Sequence, residues 1–246
     1  MYHNEEITYI DRLHNQKPKY YYTPRDVYVI NDSAYDVIVS GWSLAVVDIF
    51  AVREMAGLRK LNLEELVVNL DIKHDNRNEI EIDSKKQQLV VGLVIRQGSK
   101  LLLLECINGD MEGYLTIVQG HVRWDEEYLN KDLNFMLTEN LIREISEEIV
   151  FPKNIDSRLS ESLKTPEFIA CNNFNDTITS WFHYGFIYEL NLDKLSENES
   201  FDISEIISNE KDKNIARVID IYSDDAKGKT DSWVTEIIDY YRYKQI

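Results

Sequence analysis

The chain has 246 residues, a formal net charge of −17 and 43% apolar residues. This length and apolar content are enough for one large domain, or for one domain with a sizeable extension. The acidic balance argues against nucleic acid as a surface-bound partner, because neutralising its phosphates needs clustered lysine and arginine. It does not exclude small phosphate compounds, which a protein can receive through bound divalent ions.

Signals for membrane insertion or redox chemistry are missing from the sequence. It has no run of about 18 apolar residues, and its first thirty residues are polar and tyrosine-rich without a signal-peptide core. We therefore expect a cytoplasmic protein with no membrane partner. Cys106 and Cys171 lie in or beside predicted core strands and are not spaced as a metal or redox pair, so we expect buried thiols.

Residues 1–85 are predicted to form an extension that packs on or beside the main domain. Segments 27–30 and 35–39 have strand patterns around a turn, and segment 46–58 has helical spacing. Segment 61–70 is ambiguous, and segment 71–86 is mostly charged and polar, which suits a connection at a domain edge.

The role of this extension stays open between covering the sheet of the main domain and forming a homodimer interface. Its aromatic residues favour packing over stacking on a base. They are Tyr20, Tyr21, Tyr22, Trp42 and Phe50.

The strand patterns become clear after residue 85. Apolar segments 88–95 and 100–104, separated by a turn at 97–99, predict a hairpin. Segment 114–118 predicts a strand that stops at 119–121, where Gly120 would permit a turn. Segments 167–170 and 181–188 predict a second strand pair around the polar loop 172–179.

An acidic helix is predicted to end near Val150. Glu144, Glu147 and Glu148 share one side of a 3.6-residue repeat. Beside them runs an apolar stripe formed by Leu137, Leu141, Ile145 and Ile149. Thr138 is the predicted N-cap, and Pro152 disfavours helical geometry in the residue before it.

This acidic side is electrostatically unfavourable in an isolated helix. Like charges at these spacings cost roughly 0.2–0.5 kcal/mol per pair. Glu147 and Glu148 also lie in the last turn, where the helix dipole disfavours anions. A bound cation would remove both penalties.

At this point the sequence resembles the Nudix hydrolases, whose box runs G-x5-E-x7-R-E-U-x-E-E-x-G-U, with U an aliphatic residue. Gly120 matches the first glycine, Glu126 the first glutamate, and residues 143–148 the R-E-U-x-E-E core. There are two departures. Arg143 follows Gly120 by 23 positions, about nine more than the box has, and Val150 replaces the second glycine.

The long gap after a G-H-V turn is similar to a bacterial branch of predicted phosphoesterases. The two strand pairs fit that branch, and Trp233 echoes its closing helix, so the resemblance covers about residues 86–192 with a weaker echo beyond. It implies an α+β fold, a Nudix-type α/β/α sandwich with a mixed sheet. The implied division is an N-terminal α/β extension, residues 1–85, and a Nudix domain with a C-terminal helix, residues 86–246.

The resemblance implies a Mg2+- or Mn2+-dependent hydrolase of a nucleoside diphosphate linked to another group, or of a similar phosphoanhydride. It implies that Arg143 holds the glutamates in register. The metal ligands would come from Glu144, Glu147, Glu148, the Gly120 carbonyl and Glu126, and the catalytic residues would be Glu144, Glu147 and Arg143. Which glutamate is the general base stays open.

An alternative from another class is a non-catalytic Nudix module that binds a nucleotide metabolite as a sensor or regulator. The intact R-E-U-x-E-E core favours the enzyme. A solvated acidic face is the structural alternative for the glutamate cluster, and also our expectation for Asp125 and Glu127.

The remaining candidates lie near the presumed cleft. We expect structural roles for His121 and His183 rather than phosphate contacts. The extra residues within 127–142, together with Trp124, are expected to form a loop beside the metal that affects specificity.

Overall fold

The computed structural model describes residues 43–48, 57–60, 73–76, 86–109, 111–124, 132–152, 159, 162–171, 183–195, 200–224 and 230–243. For the first three ranges it describes the backbone alone. Several sequence predictions lie outside the described residues: the strands within 27–39, segment 61–70, the loop 172–179, the aromatic residues of the extension, and Asp125, Glu126 and Glu127. Within the described ranges, no helix is long and apolar enough to cross a membrane.

Three short strands come from the first 85 residues: β1 (Ser43–Asp48), β2 (Gly57–Lys60) and β3 (Lys73–Asn76). β1 pairs antiparallel with β3 and with the start of the next strand, β4 (Lys86–Gln97). The helix predicted over 46–58 is therefore wrong at both of its ends, which lie in strands. Segment 71–86, predicted to be a connection, contains β3 and the first residue of β4. The β-branched Val46 and Val47 suit the edge of β4, and backbone pairing there outweighs the helical spacing.

The predicted hairpin is confirmed. β4 turns at Gly98 and Ser99 into β5 (Lys100–Cys106). Gly98 has a φ of 57°, a left-handed conformation that favours glycine. Cys106, at the end of β5, forms no disulfide and is half-buried rather than buried. Burial and the nearby Glu148 charge raise the pKa of its thiol.

The strand predicted at 114–118 is divided and extends further than expected. β6 (Leu115–Thr116) pairs with β5, β7 (Val118–His121) pairs with β4, and β8 (Arg123–Trp124) pairs with β1. The turn predicted at Gly120 is wrong, because Gly120 lies within β7 opposite Val91 of β4. The left-handed glycines among the described residues are Gly98, Gly109 and Gly113.

The acidic helix α1 (Leu133–Glu148) begins earlier than predicted. Asp132 caps it by accepting a hydrogen bond from the backbone N–H of Phe135 at 2.8 Å. Thr138 lies inside the helix, so its predicted role as N-cap is wrong. Residues 133–142, which were predicted to belong to the loop of extra residues in the box, are helix as well. The predicted apolar stripe of Leu137, Leu141, Ile145 and Ile149 is confirmed as buried.

The second strand pair is also confirmed. After α1 come β9 (Ile149–Val150), β10 (Phe168–Cys171) and β11 (His183–Asn191), and the last two pair antiparallel. β11 also pairs parallel with β4 along its whole length, which makes the sheet mixed. β2 pairs with the outer side of β10.

The rest of the described chain adds the last strands and the helix that covers the second face of the sheet. Two short 3-10 helices, Leu192–Lys194 and Ile203–Glu205, precede β12 (Ile207–Ser208), which pairs with β9. β13 (Asn214–Asp220) pairs with β5, so the main sheet runs β13-β5-β4-β11-β10-β2. Helix α2 (Ser232–Tyr243) carries Trp233, as the closing helix of the resemblance does.

Each face of the sheet is covered by one of these helices. Leu89 and Val91 of β4 pack in one cluster with Leu137 and Leu141 of α1. Val90 of the same strand packs on the opposite face in a cluster with α2. Alternating side chains of one strand therefore serve two cores, and this burial on both faces explains the continuous apolar run of β4. The predicted α+β fold with an α/β/α sandwich and a mixed sheet is confirmed.

Strands from both sides of the predicted domain boundary at 85/86 belong to one sheet, since β1 pairs with β4 and β2 with β10. The division into an extension and a Nudix domain stays a prediction.

Gly185 of β11 allows α2 to approach this sheet. A Cβ atom at residue 185 would lie 2.7 Å from Cη2 of Trp233, closer than real packing permits. We expect Gly185→Ala to lower the free energy of unfolding by about 1–3 kcal/mol in urea denaturation, because the rigid indole must shift. The matched background is Trp233→Leu, in which Gly185→Ala should cost less. An equal cost in both backgrounds would contradict the proposed contact.

Candidate functional site

Gly120 and Glu144 form the tightest approach between β7 and α1. A Cβ atom at Gly120 would overlap the carboxyl group of Glu144. This overlap is the physical reason for glycine at a position with extended backbone, since every other residue has a Cβ. Glu144 is itself buried, with 8% of its surface exposed, so its carboxylate lies against the strand rather than in solvent.

Arg143 bridges two of the three glutamates. Its Nη2 lies 2.5 Å from Oε1 of Glu144, and its Nη1 lies 3.2 Å from Oε2 of Glu147. Nη2 also donates a hydrogen bond to the backbone carbonyl of His121 at 2.8 Å. One guanidinium group therefore fixes two carboxylates relative to each other and to β7.

Asn140 joins α1 to β8, and the sequence interpretation missed it. It is 2% exposed, and its Oδ1 accepts a hydrogen bond from the backbone N–H of Arg123 at 2.9 Å. Its Nδ2 donates to the carbonyl of Arg123 at 3.2 Å, and its Oδ1 also accepts from Arg143. A lone asparagine on the buried side of a helix, one turn before the arginine, is the signal that could have indicated this connection.

Arg123 is a second residue that the sequence interpretation missed. Its Nη2 lies 3.6 Å from Oε1 of Glu147, on the opposite carboxylate oxygen from Arg143. Glu147 therefore has arginines on both sides, although it is the more exposed partner in both pairs.

Glu148 has a different environment. Its Oε2 accepts a hydrogen bond from the backbone N–H of Gln119 at 3.0 Å. Loss of hydration on burial raises the pKa of its carboxyl group to about 8, and the charges of Glu144, Glu210 and Glu147 add to this effect, while the bond from Gln119 opposes it. Burial also raises the pKa of Glu144, and the Arg143 charge works in the opposite direction.

These shifts determine what the cluster can do chemically. A carboxyl group with a pKa near 8 can bind and release a proton close to neutral pH, as general acid–base chemistry requires. The ionised form of Glu148 is disfavoured by neighbouring negative charge, so a cation that binds here would replace its proton.

The end of α1 explains why Val150 can stand where the box has glycine. The helix stops at Glu148, and Ile149 and Val150 continue as an extended strand that pairs with β12. Asn209 binds the last turn instead: its N–H donates to the carbonyl of Glu148 at 2.8 Å, and its Nδ2 donates to the carbonyl of Ser146 at 3.1 Å. No left-handed residue is needed at this exit, and a β-branched residue suits a strand.

His121 and His183 lie together but apart from the glutamates. Their Nε2 atoms are 3.1 Å apart, and the His183 ring makes an edge contact with Trp233 of α2. Gly120 faces α1, so the next residue along β7 faces the other side of the sheet. The structure thus brings the two histidines to each other and places them on the face covered by α2.

The oxygen donors of the cluster fit a hard divalent cation in type. Such ions prefer carboxylate and carbonyl oxygens, and the cluster offers those of Glu144, Glu147 and Glu148 beside the strand of Gly120. Among the described residues, no three side chains of His, Cys, Asp or Glu are gathered closely enough to hold an ion. Arg143 occupies the space between two of these glutamates.

The chain is similar to known proteins in structure but has no match by sequence. No family model and no curated protein matches the chain. The crystal structure of Tm1382, a protein proposed to be a Nudix hydrolase, is similar with a TM-score of 0.55 and 18% identity, over 80% of this chain and 97% of that one.

Two further solved structures are similar at lower TM-scores. The NUDIX domain of Shewanella oneidensis NrtR, complexed with ADP ribose, has a TM-score of 0.41 and 13% identity over 76% of this chain and 100% of that one. A NUDIX hydrolase from Nitrosomonas europaea has a TM-score of 0.39 and 11% identity over 65% of this chain and 72% of that one.

The raised pKa of Glu148 gives a prediction for the metal-free protein. The folded state keeps a proton on this group between its unfolded pKa near 4.5 and its folded pKa of about 8, and the unfolded state does not. The free energy of unfolding should therefore fall as pH rises through this window, by up to about 1.4 kcal/mol per pH unit. Glu148→Gln keeps an acceptor for Gln119 but cannot ionise, so its stability should fall less steeply.

Urea denaturation with a chelator present, at several pH values from 4.5 to 8, measures both slopes. The control is Glu139→Gln, which removes an exposed charge from the same helix and should keep the slope of the unchanged protein. Equal slopes in all three proteins would contradict the raised pKa.

Proposed function

We propose, from the Nudix fold of this chain and the glutamate cluster at the end of α1, that the protein is a metal-dependent hydrolase of phosphoanhydrides. The substrate class is a nucleoside diphosphate linked to another group, or a similar compound. The observation that carries this proposal is the position of the R-E-U-x-E-E core: Arg143 bridges Glu144 and Glu147, and Glu144 packs against the glycine of β7.

We assign Mg2+ or Mn2+ to Glu144, Glu147, Glu148 and the Gly120 carbonyl, with Glu126 as a further ligand. When bound, such an ion neutralises the pyrophosphate, polarises its phosphorus and lowers the pKa of an attacking water. The donor types support this assignment, because every one of them is an oxygen.

The protein residues have distinct tasks in this proposal. Arg143 is a positioning residue, because it contacts the carboxylates rather than the reacting atoms. Burial raises the pKa of both Glu144 and Glu148, and the value of about 8 for Glu148 lets that carboxyl group take a proton from water near neutral pH. Gln119 holds one oxygen of Glu148 through its N–H and so orients that carboxyl group.

A hydrolysis screen tests the proposed function. We would measure product release from nucleoside diphosphate sugars, dinucleoside polyphosphates, NADH and nucleoside triphosphates, each with Mg2+ and with Mn2+. Glu147→Gln and Glu148→Gln should each lower kcat by about 100-fold or more. Glu139→Gln is the matched control and should have full activity, since its carboxylate is exposed on the same helix.

Two outcomes would contradict this proposal. Full activity in both Glu147→Gln and Glu148→Gln would show that the glutamate cluster is not the catalytic site. Tight binding of one of these nucleotides without hydrolysis would favour the alternative function of a sensor or regulator.

Gly120→Ala gives a separate test of the same site. The new Cβ would displace the carboxyl group of Glu144, so we expect a loss of activity comparable to that of Glu144→Ala, together with a lower free energy of unfolding. In the double variant Gly120→Ala/Glu144→Ala the overlap is gone, so stability should recover while activity stays low. Full activity of Gly120→Ala would show that the position of Glu144 against β7 is unimportant for catalysis.

A further inference from the structure

The histidine pair lies on the sheet face that the proposed hydrolase site does not use. His121 is the register partner of Val90 on β4, and His183 is the register partner of Gln88. Gln88 and Val90 are two positions apart on one strand, so the side chains of all four residues project from the same face. Val90 packs in the cluster of α2, which identifies this face as the one opposite Glu144.

The distance between the imidazoles is the first observation that points to a ligand. Their Nε2 atoms are 3.1 Å apart. An ion at the usual Zn–N distance of about 2.0–2.1 Å from both atoms would have an N–Zn–N angle of roughly 95–100°. This angle lies between octahedral and tetrahedral values, so the separation of the two nitrogens suits one shared ion. The rings, which now face each other in a hydrogen bond, would turn to face that ion.

Gln88 supplies the second, independent observation. Its side chain is buried, with 3% of the residue exposed, and its Oε1 has no hydrogen-bond partner among the described residues. A buried amide oxygen without a partner costs about 1–3 kcal/mol, so such atoms need an explanation. Gln88 lies directly beside His183 on the neighbouring parallel strand, and its side chain projects from the same face as both imidazoles.

We propose that His121 and His183 bind one borderline divalent metal ion, of the Zn2+ class, through their Nε2 atoms, with Oε1 of Gln88 as the third protein ligand. Imidazole nitrogen suits Zn2+, Cu2+ and Ni2+, whereas Mg2+ prefers oxygen. The remaining coordination positions belong to water or to a bound ligand. This site is separate from the oxygen-donor cluster on the other face.

Protons balance in this binding step. In the neutral, metal-free pair, one Nε2 carries a proton that it donates to the other Nε2. With metal bound, both Nε2 lone pairs face the ion, and that proton moves through solvent to Nδ1 of the same ring. Metal-bound histidines commonly donate Nδ1–H to a second group, so the tautomer is a usual one.

Titration of the full chain with Zn2+, in excess Mg2+ that occupies oxygen sites, tests the proposal. Calorimetry should give one Zn2+ ion per chain for the unchanged protein. His121→Ala and His183→Ala should each weaken this binding by tenfold or more, and Gln88→Leu should weaken it less. The matched control is Glu148→Gln, which removes a donor from the opposite face and should leave Zn2+ affinity unchanged.

X-ray absorption of the Zn2+-loaded, unchanged protein gives an answer even where a variant fails to fold. We expect imidazole nitrogens in the first shell. A shell of oxygen alone, the same Zn2+ affinity in both histidine variants, or a loss of Zn2+ in Glu148→Gln would each overturn the proposal. In the first two cases the histidines would be a hydrogen-bonded pair only. None of these measurements depends on hydrolysis, so the proposed function can fail without affecting this site.

Discussion

The missing side chain at residue 120 controls how closely α1 approaches the sheet. The carboxyl group of Glu144 occupies the space that a Cβ atom at residue 120 would fill. Helix α1 therefore contacts the backbone of β7 through this carboxyl group. Arg143 balances the charge of this buried group and ties it to the carbonyl of His121. Asn140 adds bonds to both backbone groups of Arg123. The orientation of Glu144 and Glu147 follows from these contacts, and the N–H of Gln119 orients Glu148.

The pleat of β7 separates two kinds of chemistry that are adjacent in sequence. Gly120 faces oxygen donors, and His121 faces a second imidazole across β4. An interpretation of the sequence that assigns both residues to one cleft overlooks that successive side chains of a strand point to opposite faces. The glycine had to be recognised as part of a strand before the two groups could be separated, since a turn has no such alternation.

The sequence predicted the features that depend on local periodicity and failed where tertiary contacts decide. The stripe from Leu137 to Ile149 and the hairpin at Gly98 are encoded in a few neighbouring residues, and both are present. Val46 and Val47 follow a helical pattern as well, but an open edge of β4 gives them hydrogen-bond partners that no local pattern shows. Asn209 is similar: it binds the end of α1 from 61 positions beyond Glu148, so the motif alone could not reveal it.

The last turn of α1 is electrostatically unfavourable, and contacts with the rest of the fold offset this only in part. It holds no basic residue, although two glutamates lie where the helix dipole disfavours anions. Asn209 satisfies two carbonyls, and the N–H of Gln119 stabilises the Glu148 carboxylate, yet the pKa of that group stays near 8. Local rules are most often broken where function requires it. A cation at this cluster must replace the proton of Glu148 and compete with Arg143 for Glu144 and Glu147, so its binding and the ionisation of the cluster are a single coupled equilibrium.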